Sequence, residues 1–132
     1  MAVIRSIIED STHQYDIDPG SGREGHLVYL VSSNKVALAQ ASAESTSDVI
    51  GAIKQDFGTY VLIDFSGDVL LAPQSGISFV SGEEVFLSLT EFGKVTNVPP
   101  SVTGVILNLG SAVRVVGPKV QVSLSIGTPV TL

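Results

Sequence analysis

Three times in this chain an apolar, β-prone run meets a short polar turn and then resumes around a valine. His26–Val31 leads into Ser32-Ser33-Asn34-Lys35 and continues as Val36–Ala39. Tyr60–Phe65 leads into Ser66-Gly67-Asp68 and continues as Val69–Leu71. Val85–Leu89 leads into Thr90–Gly93 and continues as Lys94-Val95-Thr96. Each turn carries Gly, Asn or Asp, the residues that tolerate the backbone of a tight reversal, and each flank favours an extended chain. The pattern predicts three hairpins, and with them an all-β protein.

The remainder of the chain reads the same way. Ala2–Ile8 alternates loosely, as a first strand or as an arm that adds to a partner. Glu9–Gly25 is the longest polar stretch and reads as a loop, so the chain divides into an N-terminal arm and polar loop (1–25) and a β-domain (26–132). Ala41–Asp48 is small and polar, a loop or a single helical turn. Val49–Ile53 is β-prone and broken by Gly51. Ala72–Gly82 reads as a loop with Ile77 and Phe79 turned inward, and the Pro99-Pro100 pair breaks the chain over Asn97–Ser101. Three closing strands follow at Val102–Leu109, Ala112–Val116 and Val120–Ile126, separated by Gly110-Ser111 and Gly117-Pro118. Gly127–Leu132 reads as extended. Short strands with turn signals every eight to twelve residues or so imply a small single-domain β-sandwich or barrel of antiparallel strands, with an N-terminal arm.

A chain of 132 residues is long enough to bury a core without disulfides or metal, and it contains no cysteine. Mean hydropathy is +0.41 and only 15% of residues are charged, against a usual quarter. That balance suits either a large β-core or a surface covered by other subunits. Charge is unevenly placed: all 13 acids lie in residues 1–94, whereas residues 95–132 carry only Arg114 and Lys119. An acid-free tail is read as an inner sheet or an oligomer contact. A net charge of −6 with no cluster of bases argues against nucleic acid. No apolar run is long enough to span a membrane, and Met1–Arg5 is too short a start for a secretory signal.

Few residues are suited to chemistry. Gly20-Ser21-Gly22-Arg23-Glu24-Gly25 matches a dinucleotide-binding pattern letter for letter. However, a polar loop precedes it and a β-run follows, whereas the mechanism needs a strand and then a helix N-terminus. His13, Asp16, Asp18, Glu24 and His26 are the one cluster of possible metal ligands. Asp16-Ile17-Asp18 opens like a calcium loop, but Leu27 stands where the closing carboxylate would be. No metal and no cofactor is therefore expected. Adjacent acids such as Glu83-Glu84 point to opposite faces of a strand, and the two histidines lie near a single loop, so no catalytic residues are assigned and no enzyme is expected. The aromatic residues are scattered and read mostly as core.

One resemblance sharpens this reading. The phrases Gly25–Leu30, Lys35–Ala39, Asp48–Ile53 and Gly67-Asp68-Val69 are followed in order by the acidic turn Ser81–Phe86, Gly93–Thr96 and the uncharged strand Val120–Ile126. In this order they resemble the small capsid decoration, or cementing, proteins of tailed bacteriophages over about residues 24–126. The resemblance implies a non-enzymatic structural virion protein, made in the host cytoplasm and bound to the outside of the capsid. There it would bridge neighbouring subunits of the major capsid protein, often as a homotrimer. It further implies that an N-terminal arm, with Val3, Ile4, Arg5 and Ile7, touches the shell. Val105, Leu107, Arg114 and Lys119, in the acid-free tail, are assigned to the contact between copies. The alternative is a tail, baseplate or head-fibre β-domain that attaches to host-surface carbohydrate.

Overall fold

Strands buried on one face alternate with a period of two. Tyr60–Asp64 does so residue by residue: Val61 and Ile63 are buried, while Tyr60, Leu62 and Asp64 are partly exposed. The structure, a computed structural model, describes residues 12–132. Among the described residues there is no helix. The strands are β1 (Thr12–Asp16), β2 (Leu27–Ser32), β3 (Lys35–Leu38), β4 (Val49–Asp56), β5 (Tyr60–Asp64), β6 (Gly67–Leu71), β7 (Glu84–Leu87), β8 (Val95–Thr96), β9 (Val105–Ile106), β10 (Asn108–Val116), β11 (Lys119–Leu124) and β12 (Val130–Thr131).

The first half of the chain is a closed barrel in the order β1-β3-β2-β4-β5. β1 closes it. It pairs antiparallel with β5, from Thr12 opposite Asp64 to Asp16 opposite Tyr60, and meets β3 in parallel at Asp16 and Lys35. The second half is a five-stranded sheet in the order β6-β11-β10-β7-β8, with β12 and β9 forming a two-stranded ribbon. The edges of that sheet are drawn together just after β6, where Val95 N donates to Ala72 O at 3.0 Å and Gln74 N donates to Val95 O at 2.7 Å.

Two cores result. Val28, Val36, Ile53, Val61 and Ile63, with Ile17, fill the barrel. The larger core lies under the second sheet and includes Leu71, Leu87, Leu107 and Leu109. β2 and β4 serve both: Leu27 and Ala52 enter the larger core, while their neighbours Val28 and Ile53 enter the barrel. Strands covered on both faces read as unbroken apolar runs rather than alternating ones.

The structure corrects several expectations. Thr12–Asp16 belongs to a barrel strand, although its Thr-His-Gln-Tyr-Asp sequence looks like loop. Its backbone ladder with β5 supplies the order that its side chains do not advertise. The Tyr60–Leu71 cassette is not a hairpin. β5 pairs with β1 and β4 and β6 pairs with β11, so Phe65-Ser66 hands the chain from barrel to sheet. The other two cassettes are hairpins, with Leu30 opposite Val36 and Phe86 opposite Thr96. β10 runs straight through Gly110-Ser111 instead of breaking there. Gly110 has φ 123°, and an added Cβ would collide with the Ser123 carbonyl of β11, so glycine marks a close approach inside the strand rather than its end. The expected Val102–Leu109 strand shrinks to Val105–Ile106 before β10 begins. Phe79 is buried and Ile77 packs against the larger core, as read from the sequence.

Candidate interaction surfaces

The loop between β1 and β2 is locked by charge. Arg23 Nε donates to Asp56 Oδ2 at 2.8 Å and its Nη2 to Asp56 Oδ1 at 3.1 Å, a forked pair. The same guanidinium reaches the carbonyls of Asp18 (2.8 Å) and Gly58 (3.0 Å). Asp56 also accepts the Gly58 N–H, and its side chain is only 1% exposed. The Arg23 hydrogen bond is the main force holding the Asp56 carboxyl down, at about 2, against the opposing effect of burial. The glycine pattern at 20–25 is therefore a structural turn. Its arginine faces an aspartate, and β2 rather than a helix follows.

Beside this lock lies the joint between barrel and sheet. Gly25 N donates to Ile53 O of β4 at 2.8 Å, and Gly25 O accepts from Ala72 N after β6 at 3.0 Å. One residue later, His26 O accepts from Ile53 N, and Leu27 N donates to Gly93 O. Lys119 Nζ, at the start of β11, donates to Glu24 O at 3.0 Å. His26 packs against Gly93, and burial pushes its imidazole below the ordinary histidine value. Residues 24–27 thus tie β4, β6, β8 and β11 together.

The five suspected ligands disperse into separate roles. His13 packs at a tilt against Phe65, ring centres 4.9 Å apart, Asp18 pairs with Lys35 at 2.7 Å, and Glu24 accepts the Asp56 N–H. Asp16 accepts from Asn34, and His26 stands at the joint. Among the described residues no three histidines or acids converge on a metal position. The four shell-contact residues, Val3, Ile4, Arg5 and Ile7, lie outside the described residues.

The assigned oligomer residues separate into two kinds. Val105 and Leu107 are fully buried in this chain's own interior, so they support the sheet from inside and offer nothing to a second copy. This follows from β9 and β10 covering the larger core. Arg114 is exposed on β10, where its Nε donates to Gln121 Oε1 at 2.8 Å, and Gln121 Nε2 reaches Asp68 at 3.2 Å. That row crosses β10, β11 and β6 on the outer face. Lys119 is half-buried against the Glu24 carbonyl.

Among the described residues, exposed apolar side chains gather at the Pro99-Pro100 turn and at the end of β10. Val98 (65%) and Val102 (87%) flank Pro99-Pro100, and the groove they border, with Ile77 and Leu89, contains no charged side chain. At the far end of β10, Val113, Val115 and Val116 are 39%, 58% and 37% exposed. Not all the aromatic residues are core: Phe57 is exposed and stacks on Tyr60 at 4.7 Å on the β4–β5 hairpin. The Arg23–Asp56 lock was not foreseen, because its partners are 33 residues apart and neither position has a local signature. No family model matches this chain, and no curated protein and no solved structure matches it.

Proposed function

We propose that this is a non-enzymatic structural protein of a virion, bound to the outside of the capsid and bridging neighbouring shell subunits. The observation that carries the reading is the uncharged apolar groove around Val98–Thr103 on a chain of net charge −6. An apolar surface rimmed by polar residues marks a protein contact rather than a solvated face. The prolines at 99 and 100 hold it in one shape, so little ordering entropy is lost on docking. Repetition over a shell lets individually modest contacts hold. The test mixes purified protein with expanded shells that lack it. It should bind and raise their disruption temperature, and Val102→Asp should weaken binding about tenfold, or roughly 1.4 kcal/mol. Absence of binding by the unaltered protein removes the proposal.

The exposed Phe57–Tyr60 stack favours a second reading, a tail or fibre domain that attaches to carbohydrate. It predicts clear hits on a glycan array that disappear in Phe57→Ala, together with no affinity for shells.

A further inference from the structure

The loop before β2 and the turn before β8 meet at one side chain. His26 is half-buried, with its ring against Gly93: a Cβ added at residue 93 would stand 2.7 Å from the histidine Cβ and 3.0 Å from its Cδ2. Nδ1 lies 3.4 Å from the Glu24 carbonyl, which also accepts from Lys119 Nζ at 3.0 Å. A carbonyl only accepts, so the neutral tautomer that fits carries its hydrogen on Nδ1. A second proton must go to Nε2, which has no protein partner among the described residues.

We infer that His26 is a pH-sensitive latch: protonation of its imidazole releases the turn at Thr90–Gly93 from residues 24–27. Two features of the geometry carry this. First, the charged groups that face the ring are cations, Lys94 from the turn and Lys119 from β11. The acids of these segments are engaged elsewhere. Glu24 accepts the Asp56 N–H, Asp56 holds Arg23, and Glu91 of the turn binds Lys94 at 3.2 Å and Ser75. β4 reaches residue 26 through the Ile53 N–H, and its Lys54 is exposed. An imidazolium here would lose part of its water and stand among like charges, with no carboxylate facing it among the described residues. Second, few bonds tie the turn to its surroundings. Gly93 donates to Ala39 O at 2.6 Å and accepts from Leu27 N at 2.8 Å, and Glu91 accepts from Ser75. The β7–β8 pairing of Phe86 with Thr96 and Leu87 with Val95 lies beyond it and can stay intact while the turn swings. Thr90 lines the uncharged groove beside Pro99-Pro100, so release reaches that wall. The latch does not depend on the shell reading.

Burial first, and then Lys94 and Lys119, hold the ring below the ordinary histidine value, against the opposing pull of the Glu24 carbonyl. The closed form therefore carries a neutral His26. Its stability is whole above the ordinary value of 6.5 and is lost as pH falls through the folded value. Once released, the imidazole regains 6.5, so one proton can raise the open population no more than about tenfold between pH 7.5 and 5.5.

Amide exchange followed by NMR, corrected for the pH dependence of exchange itself, is the test. Protection at Leu27 and Gly93 should fall about two- to tenfold between pH 7.5 and 5.5, while the β10–β11 ladder keeps its own. The fall should track the titration of the His26 ring, with a midpoint below 6.5. His26→Gln, which cannot take the proton, should show no fall, and His13→Gln, on β1, should show the full one. Protection that is unchanged in acid overturns the latch, as does an equal fall in the β10–β11 ladder or in His26→Gln. A ring midpoint at or above 6.5 in the unaltered protein overturns it as well, and that measurement decides the matter even where His26→Gln fails to fold.

Discussion

Gly25→Ala is expected to destabilise the protein by about 3–5 kcal/mol, a large share of a typical total of 5–15 kcal/mol. Two effects add. Gly25 has φ 83°, and an alanine held there costs roughly 1–2 kcal/mol. The new Cβ would also stand 2.8 Å from the Leu70 carbonyl and 3.1 Å from Ala72 N, which are backbone atoms that cannot swing aside. Relieving that contact pulls β6 away from the residue that bonds both Ile53 and Ala72, at about 1 kcal/mol for each bond weakened. Gly67 is the control. Its φ is 88° but nothing lies within 4 Å of an added Cβ, so Gly67→Ala should show the conformational part only. Urea titration with an unchanged slope measures both variants. Equal losses at the two sites would mean that residue 25 is an ordinary turn and not the joint between barrel and sheet.

The second large effect belongs to the Arg23–Asp56 lock. Asp56→Ala leaves Arg23, whose side chain is 13% exposed, without its carboxylate and removes the acceptor of the Gly58 N–H. Breaking one partner of such a pair costs about 3–4 kcal/mol, mostly through the unpaired charge left behind. Arg23→Met, which removes the charge as well as the pairing, should cost less in the double variant with Asp56→Leu than the two single losses added together. The lock also sets an acid limit. Because the folded Asp56 pKa is depressed, from 3.8 to about 2, its stabilisation is fully present above pH 4 and is lost as pH falls toward 2. That contribution is about 1–2 kcal/mol after allowance for solvent screening. Unfolding free energy followed from pH 5 to pH 2 should therefore drop more steeply in the unaltered protein than in Asp56→Ala. The exposed Asp18–Lys35 pair supplies the contrast: Asp18→Ala should leave stability unchanged within error, since both side chains are largely in water.

How far these features could be read from the chain depended on whether their cause was local. Alternation and turn chemistry announced β2–β3 and β7–β8, because a hairpin is specified by residues that touch one another in sequence. The same signals misled at Tyr60–Leu71. A turn that joins two sheets uses the same residues as one that reverses a strand, and only the pairing of β5 with β1 and of β6 with β11 separates the two cases. β1 was invisible because its order comes from the ladder that β5 offers it. Of the two readings of the acid-free tail, inner sheet or contact between copies, the first agrees with β10 and β11 being central strands. Yet its members could not be sorted into buried Val105 and Leu107 and exposed Arg114 and Val115 without knowing where β7 stops.

The sequence by itself determined the all-β class, the two hairpins and the scarcity of chemical groups, because backbone propensity, turn tolerance and side-chain chemistry are properties of residues and their near neighbours. The tertiary structure alone decided that the strands divide into a closed barrel and a second sheet, that Arg23 finds Asp56 across 33 residues, and that β10 runs on beside β11 beyond the end of its pairing with β7. These are long-range pairings. Each is set by which strand edge is still free when two parts of the chain meet, and no window of sequence carries that information.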